Sequence, residues 1–193
     1  MSDFTQILDN IKKYVTLTLK DEQEFTSILL KRNIKKKEFI VKPGDNFTSL
    51  YYVKSGAFRS FTIDKKGIEY TIRLAIDDWF ISDLSSYINQ TKAQLYVQAL
   101  DDSIVYQMKH SQIEDLCSKN QKIHLFFRKA TEKAFAFSQK RVLTNLNKTA
   151  KERYLEFRNT YPEIVNKVPS YVLASYLMMT PEFLSKIRKQ LSN

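Results

Sequence analysis

Pro181, Glu182, Ser185, Lys186 and Lys189 recur at helical spacing near the end of the chain, on one face of a short helix. Their chemistry suits the floor of a DNA major groove, where lysine donates to guanine O6 and N7 and glutamate accepts from cytosine N4. Thr180, Ser185, Ser170 and Tyr171 add hydroxyls of the kind that bind phosphate oxygens and so fix register rather than sequence. The same face could be an ordinary solvated surface. Glu182 argues against a plain electrostatic patch, because a carboxylate near phosphates makes sense mainly as a base reader or a cap.

Such a face needs two helices that hold it out. Leu173, Ala174 and Leu177 form the inner face of a first helix, and Leu184 and Ile187 that of a second. Met179 fills the turn, and Ala174 lies where the helices would cross and only a small side chain fits. This is a helix-turn-helix pattern. Its turn carries Met178 where glycine is usual, and a left-handed methionine costs about 1 kcal/mol. Ser170 is expected to cap the first helix, which runs through 177. Thr180 and Pro181 supply an N-cap and a first-turn proline for the second, over 182–191. Ahead of them a helix over 148–161 ends at Pro162.

The long segment before that contains neither Gly nor Pro and reads as one helix over 121–145. Along it Ile123, Phe127, Ala130, Ala134, Phe137, Arg141 and Thr144 alternate steps of four and three, a heptad seam whose alanines permit close approach. Further apolar residues, Leu125, Phe126, Phe135, Val142 and Leu146, imply that this helix meets two surfaces. The seam is therefore read as a dimer interface (Ile123, Phe127, Ala130, Ala134, Phe137, Arg141), with packing on its own domain as the alternative.

The first part of the chain is β-rich. Gly44, Gly56 and Gly67 mark turns at strand-pair spacing, with strands expected over 37–41, 50–54, 57–63 and 68–76. Two more, 96–100 and 103–109, flank Asp101-Asp102. Short helices are expected over 2–30 (one or two), 82–90 and 111–119, the last capped by Ser111. The fold class is α+β: an N-terminal β jelly-roll barrel, a long helix and a C-terminal helix-turn-helix domain. Boundaries are expected at 1–120 for a sensor domain, 121–145 for the dimerisation helix and 146–193 for the DNA-binding domain.

Composition removes several chemistries. The single cysteine, Cys117, excludes an intrachain disulfide framework, a four-thiolate zinc site and a cysteine-ligated iron–sulfur cluster. His110 and His124 have no metal-ligand neighbours at useful spacing, and no metal or other cofactor is expected. With three glycines there is no phosphate-cradling loop, and no GxSxG nucleophile motif occurs. An enzyme is not expected. The net charge of +10 is concentrated toward the end, where residues 140–193 hold ten Lys/Arg against four Asp/Glu. No apolar run reaches transmembrane length, and the start lacks a signal-peptide pattern, so a cytoplasmic protein without a membrane partner is expected.

Taken in order, these elements resemble the Crp/Fnr-type bacterial transcription regulators, in which a cyclic-nucleotide-binding-like jelly roll is joined by a dimerising helix to a DNA-binding domain. The resemblance spans nearly the whole chain. It rests on Val41-Lys42-Pro43-Gly44-Asp45, Leu50-Tyr51-Tyr52-Val53-Lys54-Ser55-Gly56 and Ala150-Lys151-Glu152-Arg153-Tyr154 before the helix-turn-helix. It places Glu182 and Lys186 at base-reading positions, with Lys186 and Pro181 where the family usually has arginine, so a different operator is implied.

Cyclic-nucleotide binders of this fold grip the phosphate with a Gly-Glu pair opening a short helix and a following Arg-Ser-Ala segment. The matching stretch is Trp79-Phe80-Ile81-Ser82-Asp83-Leu84, with Ser82 read in place of the glutamate and Ala93-Gln94-Leu95 in place of the arginine segment. Asp77, Asp78 and Asp83 would repel a phosphate, so cyclic AMP is not expected to bind. An effector pocket of other chemistry is drawn from Arg59, Arg73, Trp79, Phe80, Ser82, Asp83 and Tyr87. The arginines would hold an anion or lie on the surface, and the aromatics would line an apolar site or simply form core. The reading is a homodimeric regulator on double-stranded DNA with an unknown small-molecule effector, if it has one. Its rivals are a small-molecule sensor whose helical tail binds a protein partner, and a cupin-like enzyme that lacks its histidines.

Overall fold

The computed structural model describes residues 3–46 and 49–192; Ser2, the expected start of the first helix, lies outside them. Helices α1 (Thr5–Lys12) and α2 (Leu19–Ser27) come first, α2 opened by a capping box in which Thr18 and Asp21 bond each other's backbone. Among the described residues eight antiparallel strands follow: β1 (Leu30–Ile34), β2 (Phe39–Val41), β3 (Ser49–Ser55), β4 (Ala57–Ile63), β5 (Glu69–Ile76), β6 (Phe80–Ile81), β7 (Tyr96–Ala99) and β8 (Ser103–Lys109). They form two four-stranded sheets, ordered β1-β8-β3-β6 and β2-β7-β4-β5. This is the jelly roll, its interior filled by Tyr52, Phe58, Ile81, Val97, Val105 and Met108.

The β3–β4 turn needs its glycine twice over. Gly56 has φ +110°, and a Cβ there would fall 2.0 Å from Ser103 Oγ. Strands β1 and β6 go beyond the sequence expectation. Strand β1 is mostly exposed and β6 has two residues, so neither carries a readable alternation. The strand expected from Lys37 begins at Phe39 because Lys37 turns the chain at φ 69°.

The helices α3 (Leu84–Asn89), α4 (His110–Lys119), α5 (Gln121–Asn147), α6 (Ala150–Thr160), α7 (Pro162–Lys167), α8 (Ser170–Tyr176) and α9 (Pro181–Ser192) complete the chain. Two capping assignments are corrected. Helix α4 begins at His110, with Lys109 rather than Ser111 at its cap, and α8 begins at Ser170 itself, with Pro169 in the capping position. Pro162 not only ends α6 but opens α7, its fixed φ suiting a first helical position.

A second apolar cluster joins the helical part to the barrel. Tyr154, Phe157, Ile164, Leu173 and Tyr176 share it with Leu74, Ile76 and Leu100. Strand β5 is an edge of its sheet, and α8 and α5 cover that edge. Ser175 Oγ accepts the Thr71 N–H at 2.9 Å and donates to Glu69 O at 2.8 Å. Arg141 donates to the carbonyls of Ile72 and Thr71 and, at 3.0 Å, to that of Tyr176, whose ring lies 4.1 Å from its guanidinium carbon. The backbone groups that a sheet edge leaves open thus fasten the helical domain to the barrel.

Candidate functional site

Helices α8 and α9 meet through a turn whose backbone closes on itself. The Met178 N–H bonds Ser175 O at 3.1 Å and the Met179 N–H bonds Ala174 O at 3.0 Å, with Met178 at φ 55°. This is the Schellman arrangement that glycine usually serves. Arg153 holds the same turn from α6, donating to Leu177 O, Met178 O and Lys148 O at 2.8–3.2 Å. Ala174 is fully buried at the crossing, and Leu184 and Ile187 turn inward.

The outer side of α9 is open. Pro181, Glu182, Ser185, Lys186 and Lys189 are all exposed on it, as is Phe183, which sequence reasoning did not single out. Thr180 Oγ1 caps the helix by accepting the Phe183 N–H at 3.2 Å. Hydrogen bonds from its own backbone and from Thr180 lower the pKa of the Glu182 carboxyl, so it is ionised on that surface. Ser170 and Tyr171 are exposed at the start of α8. The Ser170 oxygen accepts Arg188 at 2.7 Å, and the Tyr171 ring lies 5.7 Å from Arg59 of the barrel.

The heptad seam on α5 points into the protomer. Ile123 is fully buried, Phe127 packs on Phe25 and Phe126, Phe137 meets Tyr161, and Arg141 clasps β5. Ala130 and Ala134 line a cavity beside them. Of the six residues read as a dimer interface, Ile123, Phe127, Phe137 and Arg141 thus make contacts within the chain, and Phe127, Ala130, Ala134, Phe137 and Arg141 stay partly exposed. The opposite face carries Phe135, Val142, Leu143 and Leu146, 64, 57, 58 and 75% exposed.

At the mouth of the barrel, Asp83 rather than Ser82 is the residue that opens α3. The Asp83 side chain is buried and already engaged. It accepts the N–H of Gln94 at 2.7 Å, the N–H of Leu95 at 3.0 Å and the Ser86 hydroxyl at 2.9 Å.

A cavity of about 440 Å³ lies between α1, the β5–β6 corner and α5. Of the residues drawn into the expected effector pocket, Arg73, Trp79, Phe80 and Ser82 line it. Arg59, Asp83 and Tyr87 do not. Arg59 is buried against Glu69 at 2.5 Å and Gln98 at 2.8 Å, its guanidinium 3.9 Å over Phe61, and Tyr87 packs on His110. Sequence reasoning missed Asn10 on α1, Lys13 and Tyr14 in the turn that ends it, and Lys133 on α5; the i, i+3, i+4 spacing of the first three was the available signal. Asp78 gathers Asn10, Lys13 and the Tyr52 hydroxyl at 2.7–2.8 Å. Among the described residues no cluster of three His, Cys, Asp or Glu side chains could hold a metal, and no helix is long and apolar enough to cross a membrane.

Residues 31–120 match the cyclic nucleotide-binding domain family. The chain is 27% identical over 129 residues to the fumarate and nitrate reduction regulatory protein of Vibrio cholerae, which covers 66% of this chain and 50% of that one. It is 24% identical over 144 residues to the transcriptional activator protein Anr of Pseudomonas protegens, 74% of this chain and 58% of that one. The chain thus spans about half the length of the curated relatives it matches. In fold it superposes on FixK2 of Bradyrhizobium japonicum with TM-score 0.71 at 18% identity, over 86% of this chain and 85% of that one. The c-di-GMP responsive regulator CLP of Xanthomonas campestris gives 0.69 at 13%, over 91% and 92%.

Proposed function

We propose that this chain, which has the sequence marks and the fold of the Crp/Fnr-type transcription regulators, is a homodimeric DNA-binding regulator that does not answer to cyclic AMP. The observation that carries the reading is the outer face of α9. An ionised Glu182, Ser185, Lys186 and Lys189 stand free on a helix whose inner face is locked by Leu184 and Ile187. In this reading Glu182 and Lys186 meet base edges, Pro181 sets the first turn, and Thr180, Ser185, Ser170, Tyr171 and Lys189 meet phosphates.

Support for the dimer comes from the free face of α5. Phe135, Gln139, Val142 and Leu146 recur at steps of four, three and four and need a second helix to leave water. Residues 121–145 are then the dimerisation helix between a sensor domain over 1–120 and a DNA-binding domain over 146–193. The hinge lies between Asn147, where α5 ends, and Ala150, where α6 begins. The insensitivity to cyclic AMP follows from Asp83, which supplies from within the chain the negative charge that a nucleotide phosphate would bring. Regulation of transcription by DNA binding requires no catalytic group, and none is assigned.

Sedimentation of the protein with a labelled duplex at two salt concentrations tests the reading. Two chains per duplex and a steep loss of binding as salt rises are expected, because phosphate contacts release counterions. Salt-insensitive behaviour, or no complex at low salt, would favour a protein partner for the helical tail.

A further inference from the structure

The first turn of α9 breaks a rule that two other helices of this chain keep. Where a threonine caps α2 and α6, the third helical residue is a carboxylate: Asp21 after Thr18, and Glu152 after Thr149. Each carboxylate bonds back to the backbone N–H of its cap. Thr180 caps α9 in the same way, accepting the Phe183 N–H. Phe183 itself holds the third position, and a phenyl ring has no oxygen with which to return the bond. The carboxylate stands one residue early, at Glu182, where it accepts from its own backbone and from Thr180. Packing does not account for the ring either. Leu184 and Ile187 turn inward and are 1 and 2% exposed, whereas Phe183 is 46% exposed. A residue that forgoes a cap bond and leaves a phenyl in water is a local choice against stability, and such choices mark functional positions.

Phe183 shares a flank of α9 with Lys186, three residues on, beside the row that holds Glu182 and Lys189. We infer that Phe183 is a further specificity-determining residue, its ring packing on the C5-methyl group of a thymine in the major groove. The inference rests on the reading of α9 as the helix that enters DNA. The first turn of such a helix is the part that meets base edges. Among those edges the thymine methyl is the apolar group, and an exposed phenyl is its chemical complement. Glu182, Phe183 and Lys186 then read cytosine, thymine and guanine by accepting, by apolar contact and by donating. The rise from Phe183 to Lys186 is about 4.5 Å along the helix. Base pairs step by about 3.4 Å, so the thymine lies within about two base pairs of the base that Lys186 meets.

The test uses the operator that the full chain enriches from random-sequence duplexes. Each thymine of a half-site is exchanged in turn for uracil, which removes only the methyl group. At one thymine per half-site the unaltered protein should lose about fourfold in affinity, as expected for one methyl group returned to water. Phe183→Ala should bind the thymine operator at least about fourfold more weakly and be indifferent to the exchange. Phe183→Leu, still apolar, should keep part of the discrimination. Phe183→Glu completes the capping box, and should raise Tm by about 2 °C while weakening operator binding. A fall in Tm for that variant would mean that the ring serves the helix rather than DNA, against the assignment. Equal effects of uracil on the unaltered protein and Phe183→Ala, or no thymine sensitive to the exchange, also overturn it. Full operator binding by Phe183→Ala does the same and hands the ring to a protein partner. If the pool yields no enriched sequence, the reading of α9 itself fails, and the assignment falls with it.

Discussion

The carboxylate of Asp83 accepts the backbone N–H of Gln94 at 2.7 Å, across the cassette in which a cyclic nucleotide would seat its phosphate. With the Leu95 N–H and the Ser86 hydroxyl also committed, the donors there are satisfied before any ligand arrives. A phosphate would have to displace a buried carboxylate and leave it unpaired, an arrangement costing several kcal/mol.

Calorimetric titration with cyclic AMP should therefore give no saturable heat at micromolar ligand. Asp83→Asn keeps the shape but loses the charge-assisted bonds, and should lower stability by about 1–3 kcal/mol without creating cyclic AMP binding. Saturable binding by the unaltered protein contradicts this account of the cassette.

The turn of the helix-turn-helix holds Met178 at φ 55° with its side chain 59% exposed. Replacement by glycine relieves the left-handed penalty and gives up little packing. Met178→Gly should raise stability by about 1 kcal/mol, a rise in Tm of about 2–4 °C in thermal unfolding. A fall in Tm would mean that the Asn145–Met178 contact at 3.5 Å outweighs the backbone strain.

Cys117 is half-buried on α4, and burial, aided by Glu114, pushes its thiol up to about 11. The folded chain then keeps a proton that an unfolded chain releases near about 8.5. Its contribution to stability is intact below that pH and falls as pH rises from there toward 11. Alkylation of the native protein should be slow at neutral pH and reach half its maximal rate near 11. A midpoint near the ordinary thiol value would show that the site is open.

Arg141 connects α5, β5 and α8 through three carbonyls. Arg141→Met removes these bonds and should speed amide exchange at Thr71 and proteolysis at 147–149 by about tenfold or more, as the helical domain loosens from the barrel. Unchanged exchange at Thr71 would mean that Ser175 and the apolar cluster hold the domain alone.

What the sequence disclosed follows from how each element is held. Strands β4 and β8 were readable to the residue because turn residues bound them and apolar side chains dominate both. The helix-turn-helix was readable because Ala174, Leu184 and Ile187 are fixed by a local packing rule, and even the left-handed Met178 followed from it. The heptad on α5 was visible, but periodicity does not say which bodies a seam meets; its contacts with Phe25, Tyr161 and β5 come from segments distant in sequence. Arg59 and Arg73 looked alike as strand arginines. Only the fold pairs one with Glu69 and leaves the other facing a cavity, because their partners come from distant segments.

The most direct test of the central claim is selection from a random-sequence duplex pool by the full chain, run in parallel with Lys186→Ala. The account requires enrichment of an inverted repeat with half-sites about 34 Å apart, one DNA turn. It also requires a relaxed base preference at one position of each half-site in Lys186→Ala, at a cost of about 1–3 kcal/mol. Unenriched DNA from the unaltered protein, or the same preference in both proteins, contradicts α9 as the reading helix.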